Sequence, residues 1–414
     1  MNVPTLQKID RWFGVPLCFG LTIVRKLFTR TPAPGPATVR SILFVKLAEQ
    51  GSTVLAYPAL QRAAQMVGKQ NVYYICFEEN RFILDLLDVI PPENVITICS
   101  KSMVKLSSST LAAMRRMWNL KLDAAIDMEF FARGSAAITF LSGARSRVGF
   151  HSLYGAGPYR GDLMTHRLLY NPHLHTTSMF QVLVECLKVD PAQLPTLGFK
   201  PPPAENCFPP FTARSDEVAA VKAMIPQSTV EKPVILLNPN ASDLLPLRQW
   251  PRERYVQLAR RLLEKFPEVQ IGFTGAPNEA EPIASLVREI GSSRCIVFAG
   301  KTSLRQLMVL YTLSEILVTN DSGPAHFASL TGINVVTLFG PETPHLFAAQ
   351  TPRNVALWAG LSCSPCVNAY NNRQSSCRNN LCMQQISVDQ VFNEVCRVYV
   401  ERRAIHTRAR QQAA

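Results

Sequence analysis

The stretch NDSGPAH, residues 320–326, gathers several groups able to do chemistry at the end of an apolar run. Asp321 or Ser322 can cap a following helix, Gly323 admits a ligand to the backbone, and Pro324 fits a first helical turn, where no N–H is required. The uncommitted N–H groups of such a helix end, with the Ser322 hydroxyl and with His326 one turn on, suit a phosphate. Asp-Ser-Gly-Pro is equally good turn chemistry with no ligand, so its neighbours decide its weight. GPETP, residues 340–344, ends the next apolar run. In residues 236–262, Asn240, Ser242 and Arg248 stand between an apolar run and a helical pattern that begins at Trp250-Pro251. There an amide, a hydroxyl and a guanidinium can grip a diphosphate, while Trp250 reads as a packing residue. TGAPNE, residues 274–279, is a weaker signal in which Glu279 can accept from a ribose hydroxyl.

A further loop, KLAEQGS at residues 46–52, opens a helix after the first strand-like run and contains Lys46, Glu49, Gly51 and Ser52. Asp127 and Glu129 stand at the end of another run. Cys363, Cys366, Cys377 and Cys382 follow the spacing C-x2-C-x10-C-x4-C, which suits a tetrahedral structural zinc, a disulfide pair or buried thiols. The remaining cysteines, of eleven in all, are scattered, which reads as a reducing compartment.

These loops need a scaffold. Apolar runs at 42–47, 72–77, 95–99 and 124–127 alternate with helical patterns at 53–67, 80–90, 107–119 and 133–142. After a Pro-rich stretch at 200–217 the alternation returns, with runs at 234–238, 269–274, 295–298, 315–319 and 334–339 and helical patterns between and after them. The pattern predicts an α/β protein with two doubly wound, Rossmann-like halves facing across a cleft. The expected division is an arm over 1–37, a first domain over 38–205, a linker and helix over 206–232, a second domain over 233–385 and a C-terminal helix over 386–414. Ligands of such sheets sit beyond the carboxyl ends of the strands, where these loops lie.

Of the 414 residues, 47% are hydrophobic and 18% charged, which excludes a disordered or fibrous chain. A net charge of +13 favours an anionic partner, and the lack of a nucleic-acid motif disfavours nucleic acid. The arm has an apolar stretch at 12–24, flanked by Lys8, Arg11, Arg25 and Lys26, that is too short to span a bilayer and lacks a cleavage site. Two readings stand: an interfacial anchor that dips Trp12, Phe13, Phe19 and Phe28 into a membrane, or an extra helix packed on the first domain.

The sequence ILFVKLAEQGSTVLAYPAL, then LLNPNA with RQWPRERYVQLA, then NDSGPAHFASLTGINVVTLFGPETP, resembles glycosyltransferase family 9, the ADP-heptose:lipopolysaccharide heptosyltransferases, over roughly residues 40–395. Residues 123–150 are similar to the family's acceptor-half segment. The resemblance implies a GT-B fold and inverting transfer, without a catalytic metal or other cofactor, from an ADP-sugar such as ADP-heptose to a phosphorylated glycolipid. It places Asp321, Ser322, Gly323 and His326 in the donor motif and Arg248 against the diphosphate, and it puts Lys46, Gly51 and Ser52 in the acceptor loop. It also implies a cytoplasmic protein, peripheral on the inner membrane, and a C-terminal helix that crosses back to the first domain.

In the family the first loop reads Gly-Asp, the aspartate being the proposed general base; here it reads Gly51-Ser52. A serine does not ionise near neutral pH and cannot take that role. Three readings stay open: Glu49 supplies the carboxylate, Asp127 or Glu129 does, or the protein binds without catalysing and Ser52 caps the helix. The acid-free stretches at 94–122 and 130–161, with Lys101, Lys105, Arg115, Arg133, Arg147 and Arg160, suit an anionic lipid acceptor.

Overall fold

A computed structural model describes residues 3–28, 39–152, 155, 157–203, 208–226, 230–241 and 245–413. The chain divides into two compact units: unit 1 takes Met1–Cys207 and Val367–Ser375, unit 2 Phe208–Cys366 and Ser376–Ala414.

Unit 1 is built on six parallel strands, β1 (Ile42–Val45), β2 (Val72–Phe77), β3 (Val95–Ile98), β4 (Ala124–Asp127), β5 (Ser146–Phe150) and β6 (His166–Leu168), in the order β3-β2-β1-β4-β5-β6. Ile42 pairs with Val72 on one side and Ala124 on the other. α1 (Val3–Phe28) precedes the sheet. α2 (Gln50–Leu55) and α3 (Tyr57–Val67) connect β1 to β2, and α4 (Arg81–Leu87) connects β2 to β3. α5 (Met103–Leu120) and α6 (Arg133–Leu141) make the next two crossovers, and α7 (Thr176–Glu185) follows β6. Right-handed crossovers put α5 and α6 on one face and α2–α4 on the other, so both faces are covered and β1 is buried throughout. Leu43, Val45, Ile75, Ala125 and Met117 meet in the core under α5.

Unit 2 repeats the plan with β7 (Val234–Asn238), β8 (Gln270–Phe273), β9 (Cys295–Val297), β10 (Ile316–Asn320), β11 (Asn334–Phe339) and β12 (Asn354–Trp358), ordered β12-β11-β10-β7-β8-β9. Its helices are α8 (Ser215–Lys222), α9 (Arg252–Lys265), α10 (Ala280–Ile290), α11 (Leu304–Thr312), α12 (Gly323–Ala328), α13 (Pro344–Phe347), α14 (Leu381–Gln384) and α15 (Val388–Ala413). The two doubly wound units match the fold class expected from the alternating runs.

Among the described elements, β5, β6, α7, α13, β12 and α14 escape the sequence pattern. In β5 the cause is Arg147, which breaks the apolar run yet is buried because its guanidinium donates to Leu163 O at 2.8 Å and Ala144 O at 2.7 Å. The C-terminal helix, α15, belongs to unit 2. α15 buries Val391, Val395, Val398 and Tyr399 in the core of unit 2, at the helical spacing that favours one face. The 1–37 arm contributes α1 to unit 1, where it packs on α6. Gly14 permits that approach, since a Cβ there would lie 2.7 Å from Arg133 Cβ.

Candidate active site

In unit 1 the loop after β1 is shaped by its neighbours at the carboxyl edge. Lys46 is buried, with its Nζ 3.7 Å from Glu129 Oε2. Glu129 Oε1 accepts from the N–H groups of Leu47 at 2.8 Å and Ala48 at 3.0 Å, so the loop after β4 clamps the loop after β1. Glu49 then turns the chain into α2 with left-handed dihedrals, φ 66° and ψ 78°, a conformation that costs a non-glycine residue about 1–2 kcal/mol. Its carboxylate is engaged on both oxygens. Oε2 lies 3.2 Å from Ser52 Oγ, and Oε1 pairs with Arg373 from the excursion Val367–Ser375. Tyr370 anchors that excursion through its hydroxyl, which donates to Tyr170 O, and through ring contacts with Phe131 and Tyr170. Gly51 and Ser52 are buried in the first turn of α2.

Asp127 is enclosed by protein groups. It is fully buried, pairs with Arg160, and accepts from Ser135 Oγ at 3.1 Å and Glu129 N at 3.0 Å. Burial pushes its carboxyl up to about 6, against the pull of Arg160. Arg160 also donates to the carbonyls of Phe130 at 2.9 Å, Ala132 at 2.8 Å and Phe150 at 3.2 Å. The reading of Arg133, Arg147 and Arg160 as a basic surface for the acceptor is therefore corrected. All three are buried, and each donates to main-chain carbonyls because low-dielectric surroundings oblige every charge to find partners. Lys101, Lys105 and Arg115 remain exposed.

In unit 2 the sites cluster beyond β7, β10 and β11. Arg248 leaves a short 3-10 turn, Pro246–Arg248, and reaches across the sheet edge. It donates to Asp321 O at 3.1 Å, lies 3.5 Å from Asp321 Oδ2, and pairs with Glu342 in the 340–344 loop. Asp321 and Glu342 are both buried. A guanidinium has five N–H groups. The hydrogen bonds use two of them and Nε–H is buried beside Asp321, so one N–H on each terminal nitrogen is left for a ligand among the described residues. Asn320, buried at the strand end, ties the loops together: its Oδ1 accepts from Trp250 N at 3.1 Å and Tyr255 OH at 3.2 Å, and its Nδ2 donates to Asn240 O at 3.0 Å. Asn240 Nδ2 is buried with no hydrogen-bond partner among the described residues. It faces Gly275, where a Cβ would fall 3.0 Å from Asn240 Nδ2 and 2.9 Å from Glu279 Oε2. Glu279 closes its own turn by accepting from Ala276 N at 2.6 Å. Gly275 thus lets Ile283, Glu279 and Asn240 pack directly against its backbone.

Ser322 sits at the N-cap of α12, but its hydroxyl lies 3.2 Å from Asn320 O and makes no cap bond. His326 is buried one turn in. Trp250 packs, edge-on to Tyr255 at 4.9 Å. Ser242 lies outside the described residues. The zinc expectation gains no geometric support: among the described residues no three His, Cys, Asp or Glu side chains are grouped to hold a metal. Cys377 and Cys363 are exposed, whereas Cys382 is buried under Gly340.

Sequence reasoning passed over Glu342, Asn320, Arg373 and the clamping role of Glu129. Glu342 was readable only as part of a loop, because its partner Arg248 lies 94 positions earlier.

The chain resembles known proteins in both sequence and fold. It is 33% identical over 151 residues to lipooligosaccharide heptosyltransferase 2 of Haemophilus ducreyi, a match covering 35% of this chain and 43% of that protein. It thus spans less than half the length of that relative. The structure of E. coli ADP-heptose LPS heptosyltransferase II superposes with a TM-score of 0.65 at 16% identity, covering 88% of this chain and 99% of the other. An E. coli heptosyltransferase solved with ADP gives a TM-score of 0.60 at 17% identity, covering 86% and 99%. At these identities the structural likeness shows the fold. The family model described as glycosyltransferase family 9 (heptosyltransferase) matches residues 111–376, more than half of the chain, and the protein belongs to that family.

Proposed function

We propose that this protein transfers a heptose from ADP-heptose to a phosphorylated, lipid-linked glycan such as a lipopolysaccharide core, inverting the anomeric centre in one displacement that needs no metal. The observation that carries the reading is Arg248, fixed by buried Asp321 and Glu342 with two N–H groups left over, beside the unpaired amide of Asn240. Such a site suits a diphosphate and its attached sugar: the guanidinium takes phosphoryl oxygens in a fixed fork, Asn240 donates a further bond, and Glu279 accepts from a ribose hydroxyl. The neighbour solved with ADP and the relative named as a heptosyltransferase support the choice of donor and sugar.

The acceptor hydroxyl oxygen attacks the anomeric carbon from the face opposite the diphosphate. The new C–O bond forms as the bond to the diphosphate oxygen breaks, and ADP leaves with that electron pair. Arg248 neutralises the charge that develops on the departing oxygen. The acceptor proton passes to Glu49 Oε2, whose present partner is the Ser52 hydroxyl. Asp127, enclosed by Arg160 and Ser135, holds the loop after β4 in place and does not meet the acceptor. A lipid-linked acceptor places the reaction at a membrane surface, and an ADP-sugar donor places it on the cytoplasmic side.

The pairing of Glu49 with Arg373 favours a second reading, a nucleotide-sugar-binding protein without turnover. ADP release from ADP-heptose, measured with a panel of heptose-deficient lipopolysaccharides with and without EDTA, separates the two. Transfer predicts acceptor-dependent release that is insensitive to EDTA and a product of inverted anomeric configuration by NMR. ADP-heptose binding without release on any acceptor would reject transfer.

A further inference from the structure

α1 is an amphipathic helix with one face fixed and one face bare. The inner face follows the spacing 10, 14, 18, 22, 25. Asp10 accepts from the N–H groups of Arg133 at 2.9 Å and Gly134 at 2.7 Å, capping α6. Cys18 is fully buried with Ala136, Leu163 and Met164. Thr22 Oγ1 accepts from Asp162 N at 2.9 Å, and Arg25 forms an ion pair with Asp162 at 2.6 Å. These contacts set the helix rigidly against unit 1. On the opposite side Trp12 is 75% exposed, Phe13 70%, Phe19 59% and Phe28 79%, with Ile23 and Leu27 bare between them.

Soluble surfaces rarely leave so many large apolar side chains contiguous. The charges beside them have one sign. Lys8, Arg11 and Lys26 are exposed, while the one acid of the helix, Asp10, is turned inward onto α6. On the same face of the sheet α5 exposes Val104, Leu111 and Trp118 among Lys105 and Arg115. No described helix is long and apolar enough to cross a membrane. An aromatic face with a cationic border fits a helix lying in the headgroup layer of an anionic bilayer.

We propose that the outer face of α1 docks the protein on anionic lipid, with Trp12, Phe13 and Phe19 in the acyl boundary and Lys8, Arg11 and Lys26 against phosphate headgroups. Because the inner face is bolted to α6, the helix carries unit 1 with it and fixes the orientation of the sheet to the membrane. The inference concerns placement and stands apart from the transfer reaction, so vesicle binding and turnover can fail separately.

The test is flotation of the full chain with phosphatidylcholine vesicles, with and without phosphatidylglycerol. The expected result is binding to the anionic vesicles that weakens in high salt, and at least a tenfold lower partition for the double variant Trp12→Ser, Phe19→Ser. Both side chains are exposed, so the variant's thermal unfolding and its ADP release with a detergent-dispersed acceptor stay at wild-type values. Trp12→Phe is expected to bind as wild type but to lose the quenching by brominated lipid that Trp12 provides. Equal binding by the double variant, or no preference for anionic vesicles, overturns the proposal. So does a dimer in solution that the double variant dissociates, since the face would then belong to a second copy.

Discussion

In unit 2, Arg248 is held between the carboxylates of Asp321 and Glu342 and keeps N–H groups uncommitted among the described residues; in unit 1, Arg160 is committed to Asp127 and to the carbonyls of Phe130, Ala132 and Phe150. Both guanidiniums stand at the carboxyl edge of a parallel sheet, Arg160 buried and Arg248 part-exposed. The difference lies in how many donors the fold consumes. Arg160 is a staple that shapes the loop after β4, while Arg248 is an oriented but unsaturated donor. Basic residues counted along a sequence are thus poor guides to an anionic ligand until their partners are known.

The largest effect expected from this contrast is structural. Arg160→Met should destabilise the fold by about 3–5 kcal/mol, because it leaves Asp127 buried without its charged partner and removes a donor from several carbonyls; denaturant unfolding measures it. Arg248→Ala should weaken ADP binding by about 2–5 kcal/mol, read by calorimetry, and Arg248→Lys should restore little because a lysine cannot reproduce the fork. Glu342→Gln should cost donor affinity about 1.5–3 kcal/mol, since the remaining amide orients the guanidinium less strongly than a charged partner. An unchanged affinity in that variant would break the contrast, by showing that Arg248 needs no second carboxylate.

A smaller effect concerns pH. Burial raises Asp127 from its ordinary 3.8 to about 6, so the folded chain holds this proton more tightly than the unfolded one. The stability it contributes is complete below about 3.8 and falls as pH rises to about 6. Wild type should therefore lose stability relative to Asp127→Asn across that window. A flat difference would mean that Arg160 holds the carboxylate at its ordinary value.

The loops beyond the second sheet were legible in the sequence, because they follow uninterrupted apolar runs: Asp321 to Gly323 after β10, Arg248 before α9. What escaped was long-range pairing. Glu342 meets Arg248 and Arg373 meets Glu49 only after the sheet edges form, and no local pattern encodes either contact. The strand β5 was hidden for a related reason, since its Arg147 is polar in sequence and fully bonded in the fold. α1 was read with two alternatives because a hydrophobic stretch alone does not say which of its faces is covered. Asp10, Cys18 and Thr22 settle the inner one.

The central claim is that a carboxylate one turn before Ser52 does the work of the missing aspartate. The most direct test is acceptor-dependent ADP release from ADP-heptose by wild type and by Glu49→Gln, with ADP affinity measured in parallel. The account predicts a kcat lower by about 10²–10⁴-fold in the variant with affinity unchanged. Turnover equal to wild type would contradict it and move the base elsewhere.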